Sequence, residues 1–150
     1  MRRKTPNGFS LIELLIVVAI ILIVAAIAVP NYLRARESAN EASAVSSIHA
    51  VNTGEITYST LYPTTGFSAT LVDLGPTVSN IIDSNLASGQ KSGYQFTYAS
   101  AGATPRTQYT LNVDPLVRGV TGARSFYSDQ VSLIHYNETA AAGAGDPMIQ

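Results

Sequence analysis

From Phe9 to Val29 every position is apolar except Ser10 and Glu13. As a helix this stretch spans about 31 Å, which matches a hydrocarbon core of about 30 Å. The pattern changes at Pro30, which has no backbone N–H and kinks or interrupts a helix. Beyond it, Asn31 to Ala42 is rich in the good helix formers Ala, Glu and Arg. Ala35, Ala39, Ala42, Val45, Ile48 and Val51 follow at spacings of three and four. They predict one amphipathic face on a stem helix over residues 34–61, ending before Tyr62-Pro63. A helix from Phe9 to Thr60 is about 75 Å long, more than the remaining chain can bury. Its first half is expected to project and its second half to pack under a head. Residues 62–93 lose the periodicity and gain Gly, Pro, Ser and Thr, so they predict a long connection with one helical turn over Asn80–Leu86.

Alternation returns in residues 94–137. Tyr94, Phe96 and Tyr98 share one face of a strand, and Tyr109, Leu111 and Val113 share one face of the next. A third short run holds Phe126. In a fourth, Val131, Leu133 and His135 alternate with Ser132, Ile134 and Tyr136. Ala101 to Arg106 reads as a hairpin loop. The expected fold is α+β: a long N-terminal helix, half transmembrane and half amphipathic, on a small antiparallel sheet of three or four strands. Residues 138–150, rich in Ala and Gly, read as a flexible tail.

Charge gives the N-terminal segment a direction. Arg2, Arg3 and Lys4 precede the apolar run, and by the positive-inside rule they remain cytoplasmic. The run is too long for the apolar core of a secretory signal peptide. A plain single-span anchor accounts for all of it except Gly8 and Glu13. A carboxylate within a membrane segment costs about 2.5–3.5 kcal/mol when central, so it needs a function and a partner. No Lys or Arg follows Glu13 until Arg34. A cut between Gly8 and Phe9 would create a cation, the Phe9 amine, four residues from Glu13 on one helix face.

The run Gly8-Phe9-Ser10-Leu11-Ile12-Glu13-Leu14-Leu15-Ile16-Val17-Val18, continued by Ile27-Ala28-Val29-Pro30-Asn31-Tyr32, strongly resembles the cleavage and methylation motif of type IV pilins and pseudopilins. The resemblance covers residues 1–36. It implies a basic leader over residues 1–8, removed after Gly8 by a membrane-embedded prepilin peptidase that also methylates the Phe9 amine. It implies that residues 9–33 form the transmembrane and filament-core helix, with Glu13 and Phe9 as the assembly residues and Pro30 as the helix kink. The precursor would be single-pass in the inner membrane with a cytoplasmic N-terminus. Its partners would be the lipid bilayer, the peptidase, a membrane assembly platform and further pilin-like subunits. The product would be an extracellular pilus for adhesion or motility or, alternatively, the periplasmic pseudopilus of a type II secretion system. Tyr62-Pro63-Thr64-Thr65-Gly66 is similar to the loop after the stem in major pseudopilins. Many pilins close the head with a disulfide; this chain has no Cys, which shifts weight towards a pseudopilin.

The remaining chemistry adds little. Without Cys there is no thiolate metal site and no thiol nucleophile. Ser, His and Asp occur without a nucleophile elbow or a phosphate loop, and His49 and His135 read as packing or surface residues, so no enzyme is expected. No cofactor is expected either. Calcium in the head would have to draw on Asp114, Asp129, Asn137, Glu138 and Asp146, whose spacing is not that of a calcium loop. Asn137-Glu138-Thr139 fits the glycosylation sequon. The whole chain carries a net charge of −1, and without Arg2, Arg3 and Lys4 it is more acidic, which argues against nucleic acid as a partner. A membrane-tethered head that captures a surface ligand is the remaining class.

Overall fold

The computed structural model describes residues 8–149. It divides into two compact units, residues 1–35 and 36–150. The basic residues Arg2, Arg3 and Lys4 lie outside the described residues. One helix, α1 (Leu11–Leu61), contributes to both units.

In the first unit, the apolar side chains from Leu11 to Val29 that the membrane reading relies on are exposed. This is the one described helix long and apolar enough to cross a membrane, and none of that stretch is buried. The helix continues through Pro30 without interruption. The carbonyl of Ala26 cannot receive a backbone bond from Pro30. One residue on, Asn31 Nδ2 donates to the Ile27 carbonyl at 3.1 Å, which adds a side-chain bond where the backbone ladder is weakened.

In the second unit the rest of α1 packs on a five-stranded antiparallel meander, β1 (Gln90–Lys91), β2 (Tyr94–Ala101), β3 (Gln108–Pro115), β4 (Ser125–Asp129) and β5 (Ile134–Asn137), in sequential order. This is the α+β class expected, with one more strand: two-residue β1 is too short to leave an alternating signal. Tyr94, Phe96, Leu111, Val113 and Phe126 face the helix and are buried, as period-two alternation requires. Val131 and Leu133, expected in the last strand, are exposed in the β4–β5 loop.

The helix face that meets this sheet is more polar than expected. Ala39 and Ala42 are exposed, while Ala44, Ser47, Ile48, Val51, Asn52, Glu55 and Tyr58 are buried. The polar members answer hydroxyls brought by the sheet and loop. Asn52 Nδ2 donates to Ser128 Oγ at 2.9 Å, and Asn52 Oδ1 accepts from the Tyr109 hydroxyl at 3.0 Å. Glu55 accepts from the Ser68 N–H at 2.9 Å and from the Ser68 hydroxyl, and the Tyr98 hydroxyl donates to the Ser68 carbonyl at 3.1 Å. A helix read for apolar spacing alone misses such a stripe.

The connection over residues 62–93 contains two capped turns, α2 (Leu71–Leu74) and α3 (Ser84–Ala87), rather than one turn over Asn80–Leu86. The Thr70 N–H donates to Asp73 Oδ2 at 2.9 Å, and the Asp83 carboxylate accepts from the N–H groups of Asn85 and Leu86. Asn80 cannot start a helix, because its φ is 54°. Gly66, at φ 74°, lies so close to the Arg106 backbone that a Cβ would collide with it. The Phe67 N–H donates to the Arg106 carbonyl at 3.0 Å there, so the Tyr62–Gly66 loop pins the β2–β3 hairpin.

Residues 138–149, expected as a flexible tail, fold back on the sheet. The Ile149 N–H donates to the Ile134 carbonyl at 2.9 Å, and the Tyr136 N–H donates to the Pro147 carbonyl at 2.9 Å. The Arg118 guanidinium collects the carbonyls of Ala123, Glu138 and Ala140 and the Ser125 hydroxyl. This cation gathers the C-terminal segment in a head without cysteine. Arg124 pairs with Glu41 of α1 at 2.8 Å, and Glu41 also accepts from the Ala123 and Arg124 N–H groups. Burial alone would raise the Glu41 carboxyl, but these bonds and the Arg124 charge hold it below its ordinary value.

Glu55 shifts the other way. Its burial outweighs the Ser68 hydrogen bonds and raises its carboxyl above the ordinary value of 4.5. An acid raised in the folded state gives stability that is fully present below the unfolded value and is lost as pH rises through the folded one. Glu41 acts in the opposite window, its contribution being lost as pH falls below about 4.5. Thermal unfolding of the purified protein should therefore show the midpoint falling as pH rises above about 4.5, from the Glu55 share. Glu55→Gln should flatten that slope and leave the acid limb intact. An unchanged slope in Glu55→Gln would assign the dependence elsewhere.

Candidate processing and assembly site

Gly8, Phe9 and Ser10 precede the helix, and all three are exposed. Among the described residues, a Cβ placed on Gly8 would have no neighbour within 4 Å. The chain's own packing thus gives no reason for glycine there, whereas a protease needs close access to the backbone on both sides of the bond it cuts. Phe9 is 80% exposed.

Glu13 stands in the first turn of α1. Its Oε2 accepts the Ser10 backbone N–H at 2.8 Å, and the Leu14 N–H donates to the Ser10 carbonyl at 3.3 Å. Ser10-x-x-Glu13 is a capping-box pattern, with the acid reaching back to an N–H that the helix leaves unpaired. A Ser three residues before a Glu at the head of an apolar run carries that signal in the sequence, beside the pairing of Glu13 with the Phe9 amine that a cut would create. In the uncleaved chain that amine is a peptide nitrogen, and the Ser10 N–H holds the carboxylate. The positive end of the helix favours the same acid.

Below Glu13, Leu11, Leu14, Leu15 and Val18 line a shallow apolar depression. Their spacing puts them on one helix face, open to another helix.

Of the other residues singled out by sequence, Asn137 and His135 each meet Asp146, whereas Asp114 and Asp129 lie on other strands. Asp114 is the next-to-last residue of β3, before Pro115, and Asp129 ends β4. Asp146 accepts from Asn137 Nδ2 at 3.1 Å and from the Gly143 N–H at 2.8 Å. Asn137 Oδ1 accepts from the Thr139 and Ala140 N–H groups, so both ends of this sequon amide are engaged. Glu138 is exposed. No group of three or more His, Cys, Asp or Glu is placed to hold a metal among the described residues. His49 is exposed on α1, and His135 Nδ1 lies 2.6 Å from the Asp146 carbonyl.

The site thus consists of an exposed Gly8–Phe9 segment, a capped acid and an apolar helix with no covering partner among the described residues. The family model of the prokaryotic N-terminal methylation motif matches residues 3–29. Over 38 residues, 25% of the chain, it is 58% identical to the type IV wide pilus major component PilA4 of Thermus thermophilus, covering 29% of that protein. Over 68 residues, 43% of the chain, it is 35% identical to type II secretion system core protein G of Klebsiella michiganensis, covering 48% of it. The same protein of Aeromonas hydrophila matches with the same identity and coverage. The chain thus spans less than half the length of each of these curated relatives. Over its N-terminal region the chain is therefore similar to type IV pilins and type II secretion pseudopilins.

Proposed function

We propose that this protein is a structural subunit of a type IV pilus-like filament. The precursor inserts in the inner membrane with its leader in the cytoplasm. A prepilin peptidase cuts after Gly8 and methylates Phe9, and an assembly platform then draws the subunit into a filament through its N-terminal helix. The filament serves adhesion or motility. The observation that carries this reading is the helix from Leu11 to Val29, which exposes its whole apolar surface while holding a carboxylate in its first turn. In lipid that surface costs nothing, since acyl chains are as apolar as leucine. Outside lipid, at about 25 cal/mol per Å², it must be covered by the same helix of other subunits.

The second reading, a type II secretion pseudopilin, is favoured by the reach of the likeness. The match to protein G extends over 68 residues and that to the pilus component over 38. Shearing cells and probing the released fraction with an antibody to the head separates the two. A pilus subunit is expected in the sheared filaments. A pseudopilin is expected to remain in the envelope, and that result would overturn the first reading in favour of the second.

A further inference from the structure

The outer face of the sheet carries a groove with a chemistry of its own. Register sets Ala99, Thr110 and Asp129 in one row across β2, β3 and β4, and Thr97, Asn112, Tyr127 and His135 in the next. Their neighbours along each strand point into the core, so these side chains point away from it. Ala99 and Ala101 are exposed in strand positions where alanine is disfavoured. With taller neighbours around them they leave a groove of about 270 Å³, whose walls include Tyr127, Asp129, Gln108 and Gln130. That lies just below the roughly 300 Å³ at which small-molecule pockets begin, and suits a single ring.

The carboxylate in the groove is held in place. Asp129 Oδ1 accepts the Val131 N–H at 2.9 Å. The same carboxylate neighbours the Tyr127 hydroxyl as a hydrogen-bond partner, and Gln108 and Gln130 line the groove beside it. Tyr127 is steadied by His135, with ring centroids 6.1 Å apart. Strands β2 to β5 contain no Lys or Arg. A phosphate or a carboxylate ligand would find no counter-charge here. A ring of hydroxyls would find one fixed carboxylate, two amides and one aromatic edge.

We infer that this groove is a saccharide site, taking one neutral pyranose ring packed against Tyr127 with its hydroxyls on Asp129, Gln108 and Gln130. The site belongs to the head alone. It operates in either a pilus or a pseudopilus, so its failure would leave the assembly reading untouched.

Saturation-transfer NMR on the full-length protein, in a zwitterionic detergent that carries no sugar, tests it. The neutral probes are methyl β-D-glucopyranoside, lactose and N,N′-diacetylchitobiose. The charged probes are methyl β-D-glucuronide and lysine methyl ester. Transfer to at least one neutral probe is expected, with little to the charged pair. Tyr127→Ala and Asp129→Asn should each weaken it by about tenfold, as the loss of one good contact does. Tyr127→Phe keeps the ring and should keep binding, which separates loss of contact from loss of fold. No transfer to any neutral probe, transfer equal in Tyr127→Ala and wild type, or transfer to the lysine ester alone would overturn the assignment.

Discussion

Cells whose only copy of this protein carries Glu13→Ala are expected to insert and cleave the precursor normally and to make no filaments. In the precursor, the Glu13 carboxylate is held by the Ser10 N–H through one oxygen. The proposed removal of residues 1–8 would make the Phe9 amine a cation at the same depth. When the subunit leaves lipid for a filament, the helices of its neighbours replace the acyl chains, and a charge among them has no water to turn to. On the proposed assembly, a Glu13 carboxylate beside the Phe9 amine of a neighbouring subunit would satisfy both groups and set the axial register. Removing one partner of a buried pair costs about 3–5 kcal/mol, which is more than a hundredfold at each subunit addition. Glu13→Ala leaves the amine unpaired while easing membrane insertion. Glu13→Gln is the sharper variant, because glutamine also serves as the acid-side partner of a capping box. It keeps the Ser10 bond and loses only the charge. Filament yield by shearing should fall to background in both. Normal yield in Glu13→Gln with none in Glu13→Ala would give the role to the cap instead of the charge.

The second large effect is at the cut. Gly8→Val should leave most of the protein at precursor mass, with no filaments. No described residue crowds Gly8, so the expected failure lies in the approach of the peptidase to the backbone. A β-branched side chain also stiffens the residue that has to enter the active site. Precursor mass in the membrane fraction, with the head still folded and Glu55 still titrating, is the expected result. Efficient cleavage of Gly8→Val would move the glycine requirement elsewhere in the segment.

The contrast between Phe9–Val29 and the head explains what could be read in advance. The apolar run, its flanking Pro30 and the Gly8-Phe9…Glu13 spacing are contiguous, so composition and spacing alone expose them. The β2 and β3 faces were legible for the same reason, since Tyr94, Phe96, Leu111 and Val113 alternate within their own strands. The buried stripe of α1 was not. Asn52 and Glu55 are inside because Ser68, Tyr109 and Ser128 bring them hydrogen bonds from as many as 76 residues away. Nothing within the helix announces those partners. The anchoring of residues 138–149 is equally non-local, since it depends on Arg118 reaching carbonyls at 138 and 140. The outer groove appears only once register sets Ala99 beside Thr110 and Asp129.

Intact-mass spectrometry of the subunit in sheared surface filaments tests the central claim most directly. The account predicts one species that begins at Phe9 and carries one additional methyl group on its amine. Filaments built from subunits that retain Met1, or that begin at Phe9 without the methyl group, would contradict it.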